Sequence, residues 1–176
     1  MSSINIIILG LLMEKPMSAY EMTKQIEYRK MKDWLKISEP TVYKNIRALE
    51  EEGFLDGENV QEGNMPEKTV YTINEKGVEH FRELMETYST QIGKLHFECN
   101  AALANLHKID KRKGMELLIK LQENIQEKKD FTEMMVGKRE HIPLPGKAVL
   151  KQADMIYDTL LVWIEEFIDE YKEWEK

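Results

Sequence analysis

Apolar positions recur on two different periods along this chain, and the switch between them marks out its elements. Ile4, Ile6–Leu9, Leu11 and Leu12 form a run that is apolar on nearly every side, as expected of a helix enclosed by others; Pro16 ends it. A second helix is expected from Ser18, where Ser18-Ala19-Tyr20-Glu21 has the form of a capping box, and Tyr20, Met22 and Ile26 lead toward Tyr28. Residues 31–37 read as a connector carrying Trp34 and Leu35. The stretch SEPTVYKNIRALEEEG (38–53) is a third helix. Ser38 suits the N-cap, Pro40 the first turn and Gly53 a left-handed exit. Val42, Ile46 and Leu49 recur at i, i+4, i+7, so Pro40, Lys44, Arg47 and Glu51 fall on the opposite face, flanked by Thr41 and Tyr43.

After Gly53 the period shortens. Phe54-Leu55 starts a strand-like piece, Gln61–Glu67 contains the turn formers Gly63, Asn64 and Pro66, and Lys68–Ile73 (KTVYTI) is rich in β-branched and aromatic residues. Two strands joined by a seven-residue loop make a hairpin. Three helices followed by a hairpin is the element order of a winged helix-turn-helix.

Asn74 can cap a long fourth helix in which Val78, Phe81, Met85, Tyr88, Ile92, Leu95, Cys99, Ala102 and Leu106 alternate at spacings of three and four. Gly93 weakens the helix propensity without breaking the register. Asp110–Gly114 is a polar connector, a fifth helix carries Leu117, Leu118, Leu121 and Ile125, and Pro143, Pro145 and Gly146 mark a break. The last helix, residues 147–174, sets Val149, Ala153, Ile156, Leu160, Trp163, Phe167, Tyr171 and Trp174 on one seam, widened by Leu161, Ile164 and Ile168. One chain has too little surface to cover both stripes, so a second copy is expected to cover them. Phe81, Met85, Tyr88, Ile92, Leu95, Ile156, Leu160, Trp163, Phe167 and Tyr171 are the expected dimer residues. The predicted fold is mainly α: a winged helix-turn-helix with a β-hairpin wing over 1–76, then long helices over 77–176 forming a coiled-coil-like dimerisation domain.

Charge changes this picture locally. The 176 residues carry a net charge of −7, the wrong sign for indiscriminate nucleic-acid binding. Residues 24–47 nevertheless hold seven basic groups (Lys24, Arg29, Lys30, Lys32, Lys36, Lys44, Arg47) against Glu27, Asp33 and Glu39. Residues 48–75 reverse the sign, with Lys68 against eight acids. The basic stretch spans the parts of a helix-turn-helix that face phosphates, whereas Glu50–Glu52 close the third helix and point away from DNA. On the acidic wing, Asn64 and Lys68 are the candidate contacts. The same acidity leaves open an alternative, a winged-helix module that docks proteins rather than DNA. A single cysteine, Cys99, forbids an intramolecular disulfide and fits a reducing, cytoplasmic setting. The apolar run Ile4–Met13 has no basic flank and is too short to span a bilayer, so no membrane partner is expected.

Three segments, LGLLMEKPMSAYEM (9–22), SEPTVYKNIRALEEEGFL (38–55) and PEKTVYTINEKG (66–77), taken in order, resemble PadR-type transcriptional regulators. The helical remainder is similar to the longer subfamily with a virulence-activator type of C-terminal domain. Ala19 stands where glycine usually precedes the tyrosine, and Asn74 where threonine is common. The resemblance implies a homodimer on a roughly palindromic double-stranded operator, usually as a repressor, in some relatives released by a phenolic acid or lipophilic drug. By position it puts Ser38, Thr41, Tyr43, Lys44 and Arg47 on the recognition helix, Tyr20 on the helix before it and Lys68 on the wing. For Tyr43 an alternative stands beside this: its ring packs on the hairpin and only its hydroxyl reaches a phosphate.

Other chemistry is thin. His96 and Cys99 are i, i+3, a spacing able to hold a metal if another helix supplied ligands, but packing along the seam explains both, and no metal or cofactor is expected. No phosphate-cradling glycine loop or nucleophile signature is present, so nothing argues for an enzyme. Trp34, Trp163, Trp174, Tyr88 and Phe97 either pack in core and interface or line a cavity for a small aromatic effector.

Overall fold

A computed structural model describes residues 2–61, 67–138 and 142–175, in two compact units, Met1–Lys94 and Leu95–Lys176. In the first unit, α1 (Ser3–Glu14) buries Ile4, Ile8, Leu9, Leu11 and Leu12. A two-residue strand β1 (Met17–Ser18) precedes α2 (Ala19–Tyr28), and Met31–Asp33 form a single 3₁₀ turn. Next come α3 (Glu39–Glu51), β2 (Leu55–Val60), β3 (Lys68–Ile73) and α4 (Glu75–Ser89). The sheet has three strands in the order β1-β3-β2, all antiparallel, with Met17 opposite Tyr71 and Leu55 opposite Ile73. The predicted hairpin is present. β1 adds the strand that periodicity does not show, because two residues are too few to alternate.

The expected capping box at Ser18 is formed: the Ser18 hydroxyl accepts from the Glu21 backbone N–H at 3.3 Å, and the Glu21 carboxylate accepts from the Ser18 N–H at 2.7 Å. At the far end of α4's approach, Asn74 accepts from the Gly77 N–H at 3.0 Å and caps the helix. Gly77 leaves no room for a side chain. A Cβ there would overlap the Phe54 carbonyl oxygen and come within 2.7 Å of Ile73 Cγ1. Gly77→Ala is therefore expected to lower stability by about 1–3 kcal/mol, read as a lower urea midpoint at unchanged m-value.

One expectation fails along α4. The heptad pattern continues to Leu106, but the helix stops at Ser89, residues 91–97 are irregular, and helix resumes only as the short α5 (Cys99–Leu103). A heptad pattern says which face would be buried if the helix persists, not that it persists. Here Ser89 and Thr90 turn their hydroxyls back onto the carbonyls of Met85 and Glu86, Gly93 withdraws propensity, and Ile92 is left 90% exposed. The division between units accordingly falls at 94/95, where the pattern placed it at 76/77. α4 belongs to the first unit because Leu84 is buried in its core and Phe81 packs beside it, 3.6 Å from the Cβ position of Gly10.

In the second unit, α6 (Lys111–Lys138) pairs with α7 (Leu144–Glu173). Leu118 and Ile125 of α6 meet Ile164, Ile168 and Tyr171 of α7, with Leu106 completing the core. The centre of the α7 stripe thus lies on Ile164 and Ile168, the residues expected only to widen it, while Leu160, Trp163 and Phe167 are half-buried at its edge. Lys129 of α6 is ion-paired with Asp158 and, at 3.8 Å, with Asp154, both on α7. Of the expected dimer residues, Phe81 and Tyr171 are engaged by their own units, whereas Met85, Ile92 and Leu95 are exposed. No helix among the described residues is long and apolar enough to cross a membrane.

Candidate nucleic-acid interface

The third helix is built to show one side. Val42, Ile46 and Leu49 are fully buried, so Lys44 and Arg47 stand in solvent while Thr41 and Tyr43 are half-buried at the flanks. Its exit is a Schellman turn: the Phe54 N–H donates to the Leu49 carbonyl and the Gly53 N–H to the Glu50 carbonyl, both at 2.9 Å, with Gly53 at φ +78°. Its entry departs from expectation. Ser38 occupies the N-cap position, but its side chain caps no backbone amide and lies 2.7 Å from the Thr41 hydroxyl instead. An N-cap oxygen normally accepts from the second or third helical residue; here the second is Pro40, which has no N–H, and the third is Thr41, whose own hydroxyl intercepts the contact. Asn45 donates to the Thr41 carbonyl at 2.7 Å and fills the next turn.

The basic stretch is less positive in space than in sequence. Arg29 grips Glu14 with both guanidinium nitrogens, at 2.6 and 2.5 Å, which holds the Glu14 carboxyl below its usual range. Lys24 and Lys32 both lie 3.4 Å from Glu27 and lower its pKa in the same way. Lys68, at the loop end of β3, sits 3.5 Å from Glu21 of α2. Among the described residues, Lys30, Lys36, Lys44 and Arg47 carry no ion pair, and the last two share the exposed face of α3.

The remaining candidates separate. Tyr20 is 60% exposed, and its ring lies under the Lys24 ammonium, 5.5 Å from the centroid. Tyr20 and Ser38 line one cleft of about 80 Å3 between α2 and the start of α3, together with Thr23, Lys24 and Glu39. Asn64 lies outside the described residues. Within the wing, Thr69 donates to Asn59 at 2.9 Å from the facing strand. Neither was singled out beforehand, although counting back from the seven-residue loop pairs them. At the core end of the same strand, burial raises the Tyr71 pKa and the Glu50 charge adds to the rise.

The capping box and its neighbours respond to acid. The Glu21 pKa is lowered, first by the Ser18 backbone N–H and then by the Ser18 hydroxyl, with Lys68 contributing less; that of Glu14 is lowered by Arg29. A carboxylate whose folded pKa is depressed stabilises the fold above its unfolded value of about 4.5, and that contribution is lost as pH falls through the folded value. Thermal melts from pH 6 to 3 are expected to show a smaller acid-induced fall in Tm for Glu21→Gln, which preserves the box without the charge, than for the parent protein.

The second unit holds a larger cavity, about 660 Å3, lined by Phe97, Tyr157, Leu160 and Trp163 with His96 and Lys128. Phe97 and Trp163 therefore share a cavity, while Trp174 lines a different one and Trp34 and Tyr88 belong to the first unit. No group of three or more potential metal ligands occurs among the described residues, so His96 and Cys99 gain no metal partners there.

Comparison with known proteins agrees with this architecture. Comparison with curated proteins gives no significant match. Among solved structures, Bacillus subtilis PadR in complex with operator DNA superposes with a TM-score of 0.81 at 17% identity, covering 97% of this chain and 98% of that one. The same protein in complex with p-coumaric acid gives 0.79 at 15% identity, covering 96% and 98%. The Vibrio cholerae virulence activator AphA gives 0.72 at 16%, covering 97% and 99%. At these identities the likeness shows the fold. Residues 8–83, the winged-helix segment just described, match the model of the transcriptional regulator PadR-like family.

Proposed function

We propose that the protein is a sequence-specific DNA-binding regulator that acts as a cytoplasmic homodimer on a palindromic operator, as a repressor. The supporting observation is the face of α3: Lys44 and Arg47 are exposed and have no ion pair among the described residues, on a helix with Glu39 in its first turn and Glu50 and Glu51 in its last. Phosphate contacts from such cations position a helix in the groove, and neighbouring Thr41 and Tyr43 add hydroxyls for backbone or base edges. The exposed apolar side chains of Met85, Ile92 and Leu95 support the homodimer, because a second copy would take them out of water. The test is retention of genomic duplex fragments by the purified protein, with its mass in solution measured in parallel. The expected result is a discrete fragment set held by a dimer and released by salt. Retention of no duplex at low salt would favour the protein-docking alternative instead.

The 660 Å3 cavity supports a second part of this reading, relief of binding by a phenolic acid. Its aromatic walls suit a ring, and Lys128 with His96 suits a carboxylate. Titration with p-coumaric acid is expected to change tryptophan fluorescence through Trp163 and to weaken operator binding, with Lys128→Ala blunting both. A flat titration would contradict it.

A further inference from the structure

A second cavity, about 300 Å3, lies at the C-terminal end of α7 and has a different chemistry. Two rings of α7, those of Phe167 and Tyr171, line it with the ring of Trp174 just past the helix end. Phe167 and Tyr171 meet edge-on with centroids 6.1 Å apart, and Tyr171 and Trp174 lie tilted at 5.6 Å. Glu170 shares the lining. The Tyr171 residue is only 4% exposed, and its buried hydroxyl has no hydrogen-bond partner among the described residues.

The charge around these rings is one-sided. Residues 163–175 contain six acids (Glu165, Glu166, Asp169, Glu170, Glu173, Glu175) against Lys172, and Lys172 is held 2.7 Å from Asp169. The Lys111 ammonium donates to the carbonyl oxygens of Lys172 and Trp174, 2.7 Å each, and so spends its charge on the helix end. Opposite, His107 is the one basic side chain on the lining. Aromatic faces are negative at their centres and attract cations, most strongly where a carboxylate adds to the field and water is displaced. An anion would be repelled here, and a neutral ring would gain nothing from Glu170.

We propose that this cavity binds a small organic ammonium ion, a quaternary or tertiary amine carrying an apolar group. The site is separate from the phenolic-acid cavity and independent of the DNA-binding reading, since it is tested on free protein. The experiment is calorimetric titration of the full chain with benzyltrimethylammonium and with its uncharged carbon isostere, neopentylbenzene. The ammonium ion is expected to bind at least about tenfold more tightly than the isostere. Glu170→Gln and Trp174→Leu are each expected to weaken it about tenfold, while Lys128→Ala in the other cavity leaves it unchanged. Glu170 is exposed and Trp174 lies past the last helical turn, so both variants are expected to melt as the parent does. Equal affinity for the isostere, no binding by the native protein, or unchanged affinity in both cavity variants would overturn the proposal.

Discussion

Replacing Lys44 and Arg47 together by alanine is expected to weaken operator binding by on the order of 100-fold, with no change in thermal midpoint. Each side chain is exposed and without an ion pair among the described residues, so its removal leaves no buried charge or cavity behind, and stability has no reason to move. In the complex each would neutralise a phosphate or read a base edge, at about 1–3 kcal/mol per contact. The two are one helical turn apart, so their effects should add only approximately. A more specific signature is ionic. Losing two phosphate contacts per protomer should make the slope of log K against log salt shallower by about 2 units for each protomer. Arg29→Ala is the matched control, because its guanidinium is already committed to Glu14. It should cost some stability and little affinity. Fluorescence anisotropy across a salt series separates these outcomes.

Leu49→Ala is expected to do the opposite, lowering stability by about 2–5 kcal/mol and affinity only as a consequence. Leu49 is fully buried in the core shared by α1, α2 and α3, and its carbonyl accepts the Phe54 N–H in the Schellman turn. Truncation leaves a cavity beneath α3 just where the chain turns into the wing. In a unit of this size such a loss corresponds to roughly 10 °C or more in Tm. Denaturant melts read the stability change, and DNA binding below the new midpoint should be largely retained. If binding vanished while the protein stayed folded, α3 would be positioned by something other than this core.

Local signals were legible wherever sequence alone carries the cause. The Ser18–Glu21 capping box and the Gly53 exit involve residues within a few positions of each other, and both are formed. The Ser38 side chain caps no amide for an equally local reason: Pro40 has no N–H to offer and the Thr41 hydroxyl takes the contact. Nonlocal features were not legible. β1 exists only because Met17 and Ser18 reach the edge of β3, and the pairing of Arg29 with Glu14 joins two helices that charge counting treats separately. That pairing, with those of Lys24 and Lys32, narrows the seven cations of residues 24–47 to Lys30, Lys36, Lys44 and Arg47. The α7 stripe was recognised but its centre was displaced, since a wide apolar face does not say which line meets α6.

The most direct measurement is selection of binding sites from a random-sequence duplex library by the full-length protein, followed by affinity measurement on the enriched sequence. Binding through α3 of two protomers is expected to enrich a two-fold symmetric site, its half-sites about one helical turn apart or a multiple of it. Affinity for that site should fall with Lys44→Ala and Arg47→Ala. No enrichment, or an enriched site bound equally well by the double variant, would contradict recognition through this helix.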